Sequence, residues 1–395
     1  MSGPLSGVKI LDLGTMIAGP MAATVLSDQG ADVIKVETPG VGDVMRYLGA
    51  SCEGVTGLYH NTNRGKRSLA LDLKSAEGVA LLKELAADAD IVLQNFRPGV
   101  ADRLGVGYAD LCEVNPELIY MSVCGFGDRG PYRDKAAYDN VIQAFGGVAQ
   151  SQANPESGVP TGYYQLFSDK LTALTGSQAL TAALFARERG QGGQHIRLSM
   201  VDAVSSFLWC DVSGTDTFAN PNAQDGISVA KGLKLLQFSD GYGTAAPVTD
   251  SQFMGYCRVF GVNDLDPKFA TVMGRNQHGV ELLEAMAVVE PRALAMTTDA
   301  AIAALDAEDV PCARAMHLGE LPQHEQMIAN NSFAEVTHPQ AGIVIEPNNP
   351  PNFEGTPSPP LRTMAAIGEH TDEILATLGK TPEQIKQWRE GGVVG

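Results

Sequence analysis

Residues 8–40 read "VKILDLGTMIAGPMAATVLSDQGADVIKVETPG". The first seven form an apolar run ended by Gly14, the pattern of a buried strand. Residues 18–31 put small and apolar side chains at helical spacing, with Gly30 as the C-cap. Residues 32–40 make a second strand, closed by Pro39 and Gly40. Strand, helix and strand at this spacing is a βαβ unit, which implies a parallel sheet.

The same alternation continues outward. "RSLALDLKS" (67–75) alternates and then caps a helix at Ser75, and "AEGVALLKELAADAD" (76–90) is an amphipathic helix. "IVLQNFRPG" (91–99) and "LIYMSVCGFGDRGP" (118–131) are strands running into Gly- and Pro-containing loops. The first half is therefore a doubly wound α/β domain. In open parallel sheets ligands bind beyond the carboxyl ends of the strands. The loops there are "GTMIAGP", "TPGVGD", "NFRPGVADRLG" and "GFGDRGPYRD". After a further strand and helix in 194–208, the chain turns to a polar connector (211–228). A hairpin about Asp240-Gly241 follows, then helical patterns, a Pro-rich stretch (345–362) and a helix in "EHTDEILATLG" (369–379). The expected division is a large domain from 1–215, a small α+β domain from 216–320, and a segment 321–395 that returns to the large domain.

With 395 residues, 44% of them hydrophobic, the chain has ample material for a large core. Its formal net charge of −18 at pH 7 argues against nucleic acid and against an anionic membrane face. Six scattered cysteines without a C-x-x-C pair suit reduced thiols. There is no signal-peptide pattern and no apolar run of bilayer length, so a cytoplasmic protein is expected.

The βαβ opening invites a nicotinamide reading, with Glu37 placed where a ribose-binding acid belongs. The first turn, "LGTMIAGP", lacks G-x-G-x-x-G, and Pro20 stands where the third glycine should be. There is no P-loop, no H-E-x-x-H and no G-x-S-x-G, and the seven histidines stand singly, so no metal site is expected. In so acidic a chain the local excess of cations is the signal that remains. Arg64, Lys66, Arg67, Lys74, Arg97 and Arg103 lie on or near the sheet loops and suit a ligand with several phosphates, or else balance neighbouring acids.

Together these stretches resemble the class III coenzyme A transferases, the family of formyl-CoA transferase and carnitine CoA-transferase. The matching segments run in order: 5–43, "NRGKRSLALDLKS" (63–75), "NFRPGVADRLG" (95–105), "LIYMSVCGFGDRGPY" (118–132), "AYDNVIQAFGGV" (137–148), 168–203, "DVPCARA" (309–315) and "GEHTDEILATLG" (368–379). The resemblance implies a Rossmann-like large domain, a small domain, and two chains interlocked as a homodimer. It implies an acyl-CoA and a carboxylic acid as substrates, with no permanently bound cofactor. It places the nucleophile at Asp169 in "GYYQLFSDKLTAL" (162–174), acting through an aspartyl anhydride and an aspartyl-CoA thioester. Taken alone, Asp169 or Ser168 reads as an ordinary helix cap. An aspartate, with its ordinary pKa of about 3.9, is ionised at neutral pH without help, and backbone N–H groups at the helix start are expected to keep it so.

The coenzyme contacts that carry over are Leu71, Lys74, Asn95, Phe96, Arg97, Arg103, Lys135 and Tyr138. Thr38 stands where some members have an arginine that stacks on adenine. A tetraglycine loop is missing from residues 225–241, which argues against formyl and oxalyl substrates, and Met16 and Ile17 hint at a less polar acyl chain. The related acyl-CoA racemases keep the aspartate and pair it with a histidine. Here Tyr138 replaces that histidine, and a phenol with a pKa of about 10 is a poor base at neutral pH. Racemisation or epimerisation, and a non-catalytic CoA-binding paralogue, are the alternatives.

Overall fold

The computed structural model of the protein describes residues 3–154, 157–224 and 235–395. It divides into two units, Met1–Leu208 with Glu325–Gly395, and Trp209–His324.

The first unit is built on six parallel strands: β1 (Lys9–Asp12), β2 (Asp32–Glu37), β3 (Arg67–Ala70), β4 (Ile91–Gln94), β5 (Ile119–Cys124) and β6 (Gln194–Ser199). Their order is β3-β2-β1-β4-β5-β6. The strands are almost continuously apolar because both faces are covered, and alternate residues go to opposite sides. Ile10, Val33, Ile91, Leu93 and Met121 pack on one side with α1 (Ala18–Asp28). Leu11, Ile34, Val92 and Tyr120 pack on the other with α2 (Ala76–Ala86). Leu81, Leu82 and Leu85 anchor α2, each burial contributing about 1.5–3 kcal/mol. Ser75 caps this helix by accepting from the Gly78 N–H at 3.0 Å, as its position predicts. The side of α1 also receives α3 (Asp139–Phe145), α4 (Phe167–Ala186) and α5 (Met200–Trp209), through Ile142, Leu180 and Val204.

The C-terminal stretch closes the α2 side with α6 (Thr371–Thr377) and α7 (Pro382–Glu390), which bury Ile374, Leu375 and Ile385. It is pinned to β3, where the Ala70 N–H donates to Thr371 Oγ1 at 3.2 Å. The sequence reading stops one helix short here. It also passes over an antiparallel hairpin, Phe333–His338 with Gly342–Pro347, whose second strand runs into the Pro-rich stretch and reads as part of it.

Three buried charged groups, Asp12, Lys35 and Glu37, lie inside otherwise apolar strands. Asp12 is met by Lys66 at 2.8 Å and Lys35 at 3.7 Å, and Lys35 also faces Asp43 at 3.5 Å. Burial pushes the Lys66 ammonium down to about 8 against the pull of Asp12. Glu37 is bound by Arg46, Tyr59 and Ser68. Burial raises its carboxyl, but the Arg46 guanidinium outweighs this and holds it at about 2. Glu37 is thus committed to the protein and does not serve as a ribose acid. Three of the cations singled out from sequence are likewise spoken for. Arg64 pairs with Asp28, Lys66 with Asp12, and Arg67 with Asp32.

The second unit holds a three-stranded sheet in which Tyr242–Ala245 runs antiparallel to both Leu236–Gln237 and Cys312–Arg314. The hairpin expected about Asp240-Gly241 is present, and Asp240 accepts from both the N–H and the hydroxyl of Thr298 at 2.7 Å. Of the stretch in which the tetraglycine loop is missing, residues 225–234 lie outside the described residues.

Candidate active site

The strand order reverses between β1 and β4, so the loops after these two strands part there. This is the position at which open α/β sheets bind ligands. Asn95 ties the two loops together: its Oδ1 accepts from the Thr15 N–H and its Nδ2 donates to the Thr15 carbonyl, both at 2.7 Å. Met16, next along, is in the left-handed region at φ 65, a strained conformation for a side-chain-bearing residue. Its N–H donates to the Asp43 carboxylate at 3.0 Å. Asp43 is held in turn by Lys35 and by accepting from the Met45 N–H at 2.9 Å. The buried charges beneath the sheet's edge therefore set the shape of the loop above them.

A cavity of about 530 Å³ lies over this junction, lined by Met16, Asn95, Phe96, Arg97, Arg133, Lys135, Tyr138 and Asp169 among others. A neighbouring cavity of about 160 Å³ is lined by Thr38, Leu71, Lys74 and Phe96. Thr15, Gly42, Asp43 and Phe96 belong to the walls of both. Five residues expected at the site therefore face the Asp169 cavity, and Leu71 and Lys74 line the adjoining one. Leu71 is 1% exposed and offers wall rather than polar contact. Arg103 lines neither. It ends the short helix Val100–Arg103 beside Gly99, where an added Cβ would come within 3.3 Å of its Nη1. Ile17 is buried at 2% exposure and leaves Met16 alone to face the cavity. Arg133 lines the cavity as well, and no spacing rule marks it out from its neighbours.

Asp169 is the third residue of α4, and it does not cap that helix. Neither does Ser168, whose hydroxyl is buried without a partner. The acceptor comes from elsewhere in the chain: Asp139, at the start of α3, takes the Asp169 N–H on Oδ1 at 3.0 Å. Its Oδ2 accepts from Gln143 Nε2 at 2.6 Å. Gln143 also donates to the Gln165 carbonyl at 2.9 Å and accepts from the Tyr163 N–H at 2.8 Å. One carboxylate and one amide thus fix the segment that leads into the helix.

This arrangement reverses the expected state of Asp169. Burial, and then the Asp139 carboxylate, push its carboxyl up to about 7. Its own backbone N–H is taken by Asp139, and the weak field of the helix start does not offset desolvation. Arg97 and Arg133 on the same cavity wall have no carboxylate partner among the described residues, and Lys135 sits 4.5 Å from the centre of the Tyr132 ring. The cavity therefore presents unpaired positive charge together with a half-ionised, poorly solvated carboxyl. Such a carboxylate is suited to nucleophilic attack, because little water must be stripped from it.

A stability consequence follows. The folded-state pKa of Asp169 lies above the unfolded value, so its favourable contribution is full at low pH and is lost as pH rises to about 7. The cost of ionising it on the folded chain grows from about pH 4 to about pH 7 and is constant above that. Asp169→Asn is expected to stabilise the protein at pH 8 by about 1–3 kcal/mol. The gain in Tm should shrink to nothing near pH 4, which thermal melts across that range check.

Among the described residues no helix is long and apolar enough to cross a membrane. The family description "CoA-transferase family III" matches residues 5–371. The chain is 32% identical over 389 residues to a succinate–glutarate CoA-transferase of Agrobacterium fabrum, covering 95% of this chain and 96% of that one. It is 30% identical over 421 residues to a formyl-CoA:oxalate CoA-transferase of Escherichia coli, covering all of both. Among solved structures, a CAIB/BAIF family protein from Brucella suis superposes with a TM-score of 0.82 at 32% identity. That match covers 96% of this chain and 100% of the other. The protein Rv3272 of Mycobacterium tuberculosis gives a TM-score of 0.81 at 27% identity, covering 94% and 99%.

Proposed function

The chain belongs to CoA-transferase family III, an enzyme of that type acting on CoA thioesters, and from that premise we propose that Asp169 is the group that carries the acyl exchange. The observation that supports this most is the desolvated Asp169 carboxyl on a cavity whose Arg97 and Arg133 have no carboxylate partner among the described residues.

The carboxylate of Asp169 attacks the thioester carbonyl, the C–S bond breaks, and CoA leaves as thiolate, giving a mixed anhydride. The thiolate attacks the aspartyl carbonyl, the anhydride C–O bond breaks, and the donor acid departs as carboxylate. The acceptor carboxylate then attacks the aspartyl-CoA thioester and releases the thiolate again. That thiolate takes the acyl group from the new anhydride and frees Asp169. The exchange as a whole is close to thermoneutral, because one CoA thioester is traded for another.

The coenzyme is proposed to run from the Leu71–Lys74 cavity past Phe96 to Asp169. Lys74 and Arg97 meet its phosphates, Arg103 lies at the outer edge, and Lys135 and Tyr138 flank the thioester end. Asn95 acts through Thr15, shaping the loop rather than holding the ligand directly. Lys74→Ala and Arg97→Ala should each raise KM for acyl-CoA about tenfold with kcat nearly unchanged, as expected for uniform binding contacts.

For the acid, the curated relatives are named for succinate, glutarate and oxalate, which carry two carboxyl groups. Arg133, which has no carboxylate partner among the described residues, favours such a substrate here over the less polar chain suggested by Met16. Succinyl-CoA crossed with a panel of dicarboxylic and monocarboxylic acids, read by chromatography, tests this. Transfer confined to monocarboxylic acids would overturn the dicarboxylate assignment.

A further inference from the structure

A third cavity, of about 360 Å³, lies along β4, β5 and β6, where Gln94, Tyr120, Ser122, His195 and Arg197 line it. It shares Phe96, Pro98, Val123, Cys124 and Arg133 with the Asp169 cavity, but touches the Leu71–Lys74 cavity only through Phe96. It thus adjoins the reacting end of the proposed site and is largely separate from the outer coenzyme end.

Its charge is unbalanced. Arg129, Arg133 and Arg197 line it against Asp102 and Asp128. Asp128 serves Arg197 at 3.0 Å and Arg129 at 3.9 Å, while Arg133 has no acid partner among the described residues. A polar chain fixes the wall. Gln94 Oε1 accepts from the Phe96 N–H at 2.6 Å, which turns Nε2 towards Ser122 Oγ at 3.0 Å. Ser122 Oγ in turn meets His195 Nε2 at 2.9 Å. His195 stacks on Tyr108 at 4.7 Å between ring centres. Its Nδ1 is buried and has no hydrogen-bond partner among the described residues, which costs free energy unless a ligand or water completes it. Burial, then Arg197, lowers the pKa of this ring. It therefore offers a neutral hydrogen-bonding group beside the arginines. Guanidinium groups with such a neighbour select a planar carboxylate, and the volume suits a small aliphatic acid.

We propose that this cavity binds the free acid substrate by a carboxylate, next to the cavity in which Asp169 reacts. The proposal rests on the CoA-transfer reading for the identity of the ligand. An acid seated here lies one wall from the aspartyl intermediate while the coenzyme stays in its own cavity, and Arg133, common to both walls, faces it on either side.

The test follows the His195 ring by NMR in the full-length protein, with the signal assigned from His195→Gln and glutarate as the probe. Glutarate is expected to move the signal saturably, raising the ring's pKa, and to do so equally in Asp169→Ala. The double variant Arg129→Ala/Arg197→Ala should weaken this binding about tenfold or more. The same variant should raise KM for the acid with KM for acyl-CoA unchanged, which also shows that it folds. A ring signal indifferent to glutarate overturns the proposal. So does one that moves with CoA but not with dephospho-CoA, since the occupant would then be the coenzyme's 3′-phosphate. If Asp169→Ala keeps full turnover while glutarate still moves the ring, the Asp169 mechanism falls and the acid site stands.

Discussion

Asp169→Ala is expected to lower kcat for CoA transfer by roughly 10⁴-fold or more, with KM for acyl-CoA little changed. The residue contributes a covalent bond rather than binding energy, and the described cavity holds no second carboxylate free to take its place: Asp43 is engaged by Lys35 and by the N–H groups of Met16 and Met45. Asp169→Asn should fall as far in activity while gaining stability at pH 8. Loss of activity with a rise in Tm separates a reacting group from a structural one.

The second large effect concerns Asp139, a positioning residue. Asp139→Ala leaves the Asp169 N–H without its acceptor and takes one of its acceptors from Gln143 Nε2. With the segment into α4 released, kcat should drop about 10²-fold, the scale of a small misplacement of a reacting group. Asp139→Asn is more informative. Its carbonyl keeps the acceptor for the Asp169 N–H, although its amide faces the Gln143 donor, and the negative charge is gone. In the free wild-type enzyme kcat/KM should fall about tenfold per pH unit below 7, as Asp169 takes up its proton. In Asp139→Asn this acid limb should move to lower pH, part of the way back to the ordinary carboxylate range, because burial persists. The ratio of variant to wild-type activity should therefore rise as pH falls from 7 to 5. A limb that stays in place would show that Asp139 acts by geometry alone.

What the sequence makes legible follows the range of the interactions involved. The parallel sheet can be read from residues 8–40 because buried strands and small-residue helices are local patterns, and Ser75 caps α2 as a local rule says it should. Strand order is not local, so the reversal between β1 and β4, which locates the cavity, had to come from the fold. The cap of α4 shows the same limit. Ser168 and Asp169 read as capping residues, yet they lie inside the helix and the acceptor is thirty positions earlier in sequence. Burial first, and then the charge of that distant partner, turn an aspartate expected to be ionised into one with a pKa of about 7. The cations divide likewise. Arg64, Lys66 and Arg67 look like ligand residues until Asp28, Asp12 and Asp32 arrive from β1, β2 and the end of α1. Arg133 carries no motif, and only its place on two cavity walls draws attention to it. The last helix lies on a completed core with few apolar residues of its own, and the second strand of the C-terminal hairpin runs into the Pro-rich stretch that masks it.

The central claim is that Asp169 becomes acylated. Its most direct test is to incubate the protein with an acyl-CoA that it turns over, succinyl-CoA first, in the presence of hydroxylamine, and to map the modified peptide by mass spectrometry. An aspartyl hydroxamate at Asp169, formed only when the thioester is present, is the expected result. Continued turnover with Asp169 unmodified, or a hydroxamate on a different carboxylate, would contradict it.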